Sequence, residues 1–271
     1  VVAIGVLYAL GLSGAAPEMT LFDAIAHALT SVSTSGFSPR PESIGAFAPI
    51  VQWALVPFMI LGATSFVLIY AVLQGNFERA RQSEELRFYL FVLGTLCVIM
   101  FGLLWVSVDT VSGVEETARH AVFQITSLVT TTGYASADFD LWSAPAKQVL
   151  LVCMFFGGMA GSTTCSIKLL RWIIVMKGFR RDLFTAVHTD AVRPIRLSGT
   201  VVEEETVRDV YGYTLLSVVI FFALTAFVAV DGARADLEIT EFEAMSAAAA
   251  TFFNIGPAFG VAGPFGSYHP F

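Results

Sequence analysis

Four long stretches without a single Asp, Glu, Lys or Arg, at 43–77, 88–108, 148–167 and 210–230, constrain this chain more than any other feature. A helix needs about 20 apolar residues to cross a hydrocarbon core about 30 Å thick, and each stretch is long and apolar enough to be read as a span. The composition agrees. Of 271 residues 56% are hydrophobic and only 14% charged, whereas a soluble domain carries about 25% charged residues to cover itself in water. The chain is therefore expected to be an all-α membrane protein. The stretch 43–77 reads as one long helix with Pro and Gly interruptions, and 1–13 as the end of a span whose beginning is missing. The expectation is four complete spanning helices and part of a fifth, in a piece of a longer chain.

The basic residues sort to one side. Eleven of the fifteen (Arg79, Arg81, Arg87, Lys168, Arg171, Lys177, Arg180, Arg181, Arg193, Arg196 and Arg208) flank segments 74–88 and 168–208. The positive-inside tendency makes that face cytoplasmic. Thirteen of the twenty-two acids fall on the other face, Asp109 and Asp236 among them, with only Arg40, Arg119, Lys147 and Arg234. Four cations against thirteen acids leave that outer face near −9, and eleven against nine leave the inner near +2. Such a field concentrates cations at any outer opening. The net charge of −7 argues against nucleic-acid binding, which needs a basic footprint. Cys97, Cys153 and Cys165 lie in or beside apolar runs without C-x-x-C spacing and read as small packing residues. His27, His120, His188 and His269 lack metal-ligand spacing, and His27 reads as packing.

Three moderately apolar segments on the outer side, 21–34, 116–132 and 242–254, are too short to span. Each has acids at or near its start, where the helix dipole favours a carboxylate. A helix of about 12 residues is about 18 Å long and reaches roughly half-way through a bilayer, so these read as re-entrant helices. Each ends in a small-polar or glycine-bearing turn: Ser33-Thr34-Ser35-Gly36-Phe37, Thr130-Thr131-Thr132-Gly133-Tyr134 and Phe253-Asn254-Ile255-Gly256-Pro257. Non-helical backbone at membrane depth survives only inside protein or along a wet cavity. Extended backbone that aims carbonyl oxygens at one axis replaces the water shell of an alkali cation, and the Ser and Thr residues add hydroxyl oxygens below.

Aligned on their glycines, the turns show an alanine twelve residues earlier (Ala24, Ala121, Ala244), then Ile25, Val122 or Met245, and an apolar residue four before (Val32, Val129, Phe252). The order helix, re-entrant helix, turn, helix recurs with the same topology, which makes the repeats parallel. The plainer reading of each segment is an interfacial helix with a glycine C-cap. For Asn254 it is a residue that caps a turn.

The stretch 148–167 differs from the other spans. Gly157, Gly158, Gly161, Ser162, Thr163, Thr164 and Ser166 fall within ten positions, which favours a broken helix; close packing through Gly157-x-x-x-Gly161 is the alternative. No Walker motif is present, since Lys168 lacks the G-K-S/T order. Lys168 and Arg171, one turn apart on the inner continuation of that helix, read either as interfacial anchors or as residues that pass a partner's movement inward. The stretch 177–208, with Glu203-Glu204-Glu205 at its end, is a docking surface or a solvated linker.

These motifs, Ser-Thr-Ser-Gly-Phe at 33–37, Thr-Thr-Gly-Tyr at 131–134 followed by Asp138-Phe139-Asp140, Gly157–Ser166 with Lys168, and Asn254-Ile255-Gly256-Pro257, resemble the Trk/Ktr/HKT superfamily of potassium transporters, and in particular the bacterial Trk membrane subunit, over nearly the whole chain. The resemblance implies helix–pore helix–filter–helix units around a pseudo-fourfold pore, incomplete here. The second repeat would lie at 1–77 with its first helix truncated, the third at 78–177 with an intramembrane gate loop at 157–166, a cytoplasmic linker at 178–206, and the fourth at 207–271 without its last helix. It implies filter positions at Thr34, Ser35 and Gly36, at Thr131, Thr132 and Gly133, and at Asn254, Ile255 and Gly256. The gate would comprise Gly157, Gly158, Gly161, Ser162, Thr163, Thr164 and Lys168. It further implies K+ as the transported ion, no bound cofactor, a bacterial inner-membrane location, a homodimer and a cytoplasmic nucleotide-binding regulatory subunit. In plant relatives a Ser at the first-repeat Gly goes with sodium transport; the three glycines present favour potassium. The competing reading is a secondary transporter of another small solute or of sodium, with its site in the broken helix, which would call for inverted repeats. An enzyme is not expected, since no intramembrane acid, base or metal cluster is evident.

Overall fold

The computed structural model describes residues 1–107, 113–188, 191–235 and 237–265; Val108 at the end of one expected span, Asp109, Asp236, His269 and the terminal residues 267–271 lie outside them. Among the described residues the chain is helical apart from one short hairpin. In order the helices are α1 (Val2–Leu12), α2 (Leu21–Val32), α3 (Pro49–Gly62), α4 (Phe66–Leu73), α5 (Phe77–Gln82), α6 (Glu84–Val106), α7 (Val114–Val129), α8 (Ala144–Cys153) and α9 (Leu169–Val187). The hairpin, β1 (Arg196–Leu197) and β2 (Thr200–Val201), precedes α10 (Glu204–Arg234) and α11 (Glu241–Phe252).

The three segments expected to be re-entrant are the short helices α2, α7 and α11. Their starts show why acids stand there. In α2 Thr20 accepts the Asp23 N–H at 3.1 Å while the Asp23 carboxylate accepts the Thr20 N–H at 3.3 Å; Thr240 and Glu243 repeat this in α11, at 3.3 and 2.9 Å. Both are capping boxes, which satisfy N–H groups that the helix cannot.

Two expected spans are broken. The stretch 43–77 is not one long helix: Ser43–Ala46 is a 3-10 turn, and α3 and α4 meet at a bend of 102°. The stretch 148–167 is not a spanning helix either, because α8 stops at Cys153 and the chain runs irregularly to Lys168 before α9 begins. Lys168 and Arg171 thus belong to a new helix. Among the described residues only α6 and α10 are long and apolar enough to cross alone, and the bent α3–α4 pair makes up to three, not four. The Gly-Ala-Thr-Ser run at 62–65 and the Gly/Ser/Thr run at 157–166 supply the weak helix formers at both breaks.

Most of the α10 surface faces outward, and only Val207, Val210, Ser217, Phe221 and Gly232 are buried. The α6 helix carries Tyr89, Leu93, Met100 and Leu104 into a core with Ile125, Leu128 and Val129 of α7. Phe155 stands edge-on to Phe221 of α10 and to Phe253 at the end of α11, each ring 5.0 Å away, so aromatic packing ties the chain just after α8 to α10 and α11.

On the acid-rich face Arg40 grips Asp23 with Nη2 to Oδ2 at 2.7 Å and Nε to Oδ1 at 3.2 Å, which ties the segment after the first turn back to the start of its own helix. Burial by itself would raise the Asp23 pKa, but the bonds from Arg40 and Thr20 outweigh it and hold the carboxyl below its ordinary value. A depressed carboxyl stabilises the fold above its unfolded pKa, and that contribution is lost as pH falls through the folded one. Arg40→Gln is therefore expected to lower Tm at pH 7, with the gap from wild type closing below about pH 4; melting curves in detergent across that range check it, and a gap independent of pH would refute it.

Candidate functional site

The three turns close in the same way. In each, the residue at C′, Thr34, Thr131 or Asn254, is left-handed, with φ of 51°, 50° and 53°. The next N–H donates back to the carbonyl five residues earlier: Ser35 to Thr30 at 3.0 Å, Thr132 to Ser127 at 2.9 Å and Ile255 to Ala250 at 2.8 Å. With the companion bonds of Thr34 to Ser31, Thr131 to Leu128 and Asn254 to Thr251, these are three superimposable Schellman caps. Asn254 does end its helix, as the plainer reading has it, but in the same way as two threonines. A left-handed β-branched residue costs about 1–2 kcal/mol, and such strain persists where surroundings impose it, often at functional sites.

The turns also touch in sequence. A Cβ on Gly36 would stand 1.7 Å from the Thr132 carbonyl oxygen, and one on Gly133 1.9 Å from that of Ile255, so each of these glycines lets its turn press on a carbonyl of the next. Beyond the turns the order repeats: Ile44 and Gly45 donate to the Ala135 carbonyl, both at 3.1 Å, and the Gly260 N–H donates to Asp140 at 3.0 Å. Ser35, Gly36, Thr132, Gly133, Ile255 and Gly256 together line one cavity of about 320 Å³. Six of the nine positions expected to bind an ion thus share one opening. Buried polar groups brace it: His27 bonds the Asp23 carbonyl at 2.8 Å and Ser38 at 2.9 Å, and its ring packs on Phe47 and Tyr134.

The other three positions, the left-handed ones, face away from that cavity onto the 157–166 loop. Thr34 donates its hydroxyl to Thr163 Oγ1 at 3.0 Å, Thr131 Oγ1 accepts the Cys165 N–H at 2.9 Å, and Asn254 Nδ2 donates to Cys165 Sγ at 3.3 Å. The hydroxyls of Thr34 and Thr131 thus engage the loop rather than stand free, and Cys165 does more than pack. Through Thr163 and Cys165 the loop thus touches all three turns.

The loop is held by the other broken helix. The Met159 N–H donates to the Ala63 carbonyl at 2.9 Å, the Phe66 N–H to Gly161 at 3.0 Å and the Thr163 N–H to Gly62 at 3.3 Å. Each break therefore satisfies backbone groups that the other leaves open, the condition for irregular chain inside a membrane. Gly158 permits the approach, since a Cβ there would meet the Ala63 carbonyl oxygen at 2.5 Å. Lys168 is not a free charge: its ammonium bonds the Thr164 carbonyl, Thr164 Oγ1 at 2.9 Å and the carbonyl and hydroxyl of Ser162, both at 3.3 Å. Arg171 lies over the Tyr213 ring, 4.0 Å from its centre. Glu85, which the sequence does not single out, accepts the Ala160 N–H at 2.6 Å.

Comparison with known proteins agrees with this geometry. A family model described as "TrkH: Cation transport protein" matches residues 5–266. The chain is 32% identical to the Trk system potassium uptake protein TrkH of Halomonas elongata, over 91% of this chain and 50% of that protein. It is 30% identical to the TrkH of Escherichia coli K12, over 90% of this chain and 49% of that one. Among solved structures it resembles the potassium transporter TrkH from Vibrio parahaemolyticus, with a TM-score of 0.84 and 27% identity over 97% of this chain and 55% of that one. The chain thus spans about half the length of the curated relatives it matches. With a shared fold and a family model that covers almost every residue, this chain, a multi-pass membrane protein, belongs to the TrkH family of cation transport proteins.

Proposed function

We propose that the protein carries potassium ions inward across a bacterial inner membrane, and that this chain supplies three of the four turns of its selectivity filter. The observation that carries the reading is the set of three identical caps whose next two residues share one cavity. In this reading the backbone oxygens of Thr34, Ser35 and Gly36, of Thr131, Thr132 and Gly133, and of Asn254, Ile255 and Gly256 replace the ion's hydration shell. The acid-rich face points outward and draws cations to the opening. The names of the relatives, Trk system potassium uptake proteins, support potassium as the cargo.

The loop from Gly157 through Lys168, lying under all three turns, is the gate, and the bonds of Thr163 and Cys165 to the turns hold it shut. The pore repeats divide at 1–77, 78–177 and 207–271, and 178–206 is the cytoplasmic connection. That connection holds the end of α9 and the hairpin, and its exposed basic residues suit the docking of a nucleotide-binding regulatory subunit on a homodimer.

The full-length protein in liposomes tests the reading. Potassium is expected to move down its gradient in clear preference to sodium, read by ion-selective flux. Equal rates for the two ions would overturn the potassium filter, and uptake of an unrelated solute at the broken helix would favour a secondary transporter.

A further inference from the structure

Below the loop, at the start of α6, two adjacent carboxylates point in different directions. Glu84 turns to the basic face. It pairs with Lys177 at 2.5 Å, accepts the Ser198 N–H at 3.2 Å, and donates its own N–H to Ser198 Oγ at 3.2 Å, which fixes the first turn of α6 to α9 and to the hairpin. Glu85 turns inward and is largely covered. Its Oε1 accepts the Ala160 N–H at 2.6 Å. The charge of Lys168 stands close enough to interact with it. A cavity of about 270 Å³, lined among others by Ser65, Glu85, Met159 and Ser198, opens beside this contact.

The loop is otherwise bound to the α3–α4 break by neutral bonds, three between backbone groups and one from Thr163 Oγ1 to the Gly62 carbonyl at 3.0 Å. Glu85 adds a charged acceptor in the middle of the loop, where bonds are roughly twice as strong as neutral ones, and it rests on a base locked to two other elements. We propose that Glu85 is a positioning residue that latches the 157–166 loop in place beneath the three turns. The proposal rests on the reading of that loop as a gate. The latch takes no part in binding the ion; it biases the loop toward its docked position, and α6 transmits to it any displacement imposed at Glu84.

The test is potassium flux by the full-length protein in liposomes, with the potassium-over-sodium ratio measured alongside. Glu85→Ala removes the acceptor and is expected to raise flux about tenfold or more, the effect of losing a bond to a charged group, with the ion preference unchanged. Glu85→Gln keeps an oxygen at the same reach without the charge, so its flux is expected to rise only about threefold. A variant that merely misfolds loses flux, so a rise in this order distinguishes positioning from a structural role. Unchanged or reduced flux in a folded Glu85→Ala protein overturns the latch. Gly158→Ala, which lifts the loop by a different contact, separates the two ideas. If it raises flux while Glu85→Ala does not, the gate stands and the latch falls; if neither does, the gate reading falls as well.

Discussion

Gly133→Ala in the full-length protein is expected to abolish potassium flux, with a drop of about two orders of magnitude or more. The added carbon would stand 1.9 Å from the Ile255 carbonyl oxygen and 3.1 Å from both that carbonyl's carbon and Pro257 Cδ. Its obstacle is backbone, not the end of a flexible side chain, so the 131–134 and 254–257 turns must part. The residue would also inherit φ +81°, which costs an L-residue about 1–2 kcal/mol, and forced overpacking adds typically 1–3 kcal/mol. Since each turn presses on the next, the displacement widens the cavity where carbonyls must surround a bare ion. Gly94→Ala is the control: Gly94 lies exposed on α6 and nothing stands within 4 Å of a Cβ there, so flux is expected to stay at the wild-type level. Wild-type flux in a folded Gly133→Ala protein would remove this turn from the ion path.

The repeat was legible because its signals are local. Thr20-x-x-Asp23 and Thr240-x-x-Glu243 write a helix start, an apolar run writes its length, and a small-polar stop with a glycine two residues on writes its end. The capping box marks α2 and α11 only, and α7 starts after Gly113 without one; the apolar run and the glycine-bearing stop recur in all three and reinforce each other, which is how α2, α7 and α11 fall within a few residues of their expected positions. The breaks at Ala63–Ser65 and after Cys153 were legible only in part, since what ends those helices is a partner distant in sequence. A run of 35 uncharged residues continues as helix by composition, and it bends because the Ala63 and Gly62 carbonyls are taken by Met159 and Thr163. The same distance hides Glu85. In the sequence it is one acid in the first turn of a helix, where acids are common, and nothing nearby marks the N–H of Ala160 as its target. Lys168 was visible as a charge near glycines, yet only the folded loop turns it back onto Ser162 and Thr164.

Gly158→Ala, the same one-carbon change, is expected to act with the opposite sign and raise potassium flux. Here the added carbon would meet the Ala63 carbonyl oxygen at 2.5 Å, Ala63 Cβ at 2.9 Å and Thr164 Cγ2 at 2.9 Å. The Ala63 carbonyl is the acceptor for the Met159 N–H, so the methyl group lies against the bond that docks the loop to the α3–α4 bend. Relief requires the loop to move off, which loosens the neighbouring bonds of Phe66 to Gly161 and Thr163 to Gly62. Three such bonds at a net 0.5–1.5 kcal/mol each come to roughly 1.5–4.5 kcal/mol, a shift of about ten- to a thousandfold in the balance between docked and lifted loop. The filter oxygens are untouched, so the preference for potassium over sodium is expected to survive while the rate climbs, whereas Gly133→Ala loses rate through the filter itself. Paired flux measurements on these two variants therefore separate filter from gate. A fall in flux for Gly158→Ala, in a protein that melts near the wild-type Tm, would mean that the docked loop holds the path open rather than closed.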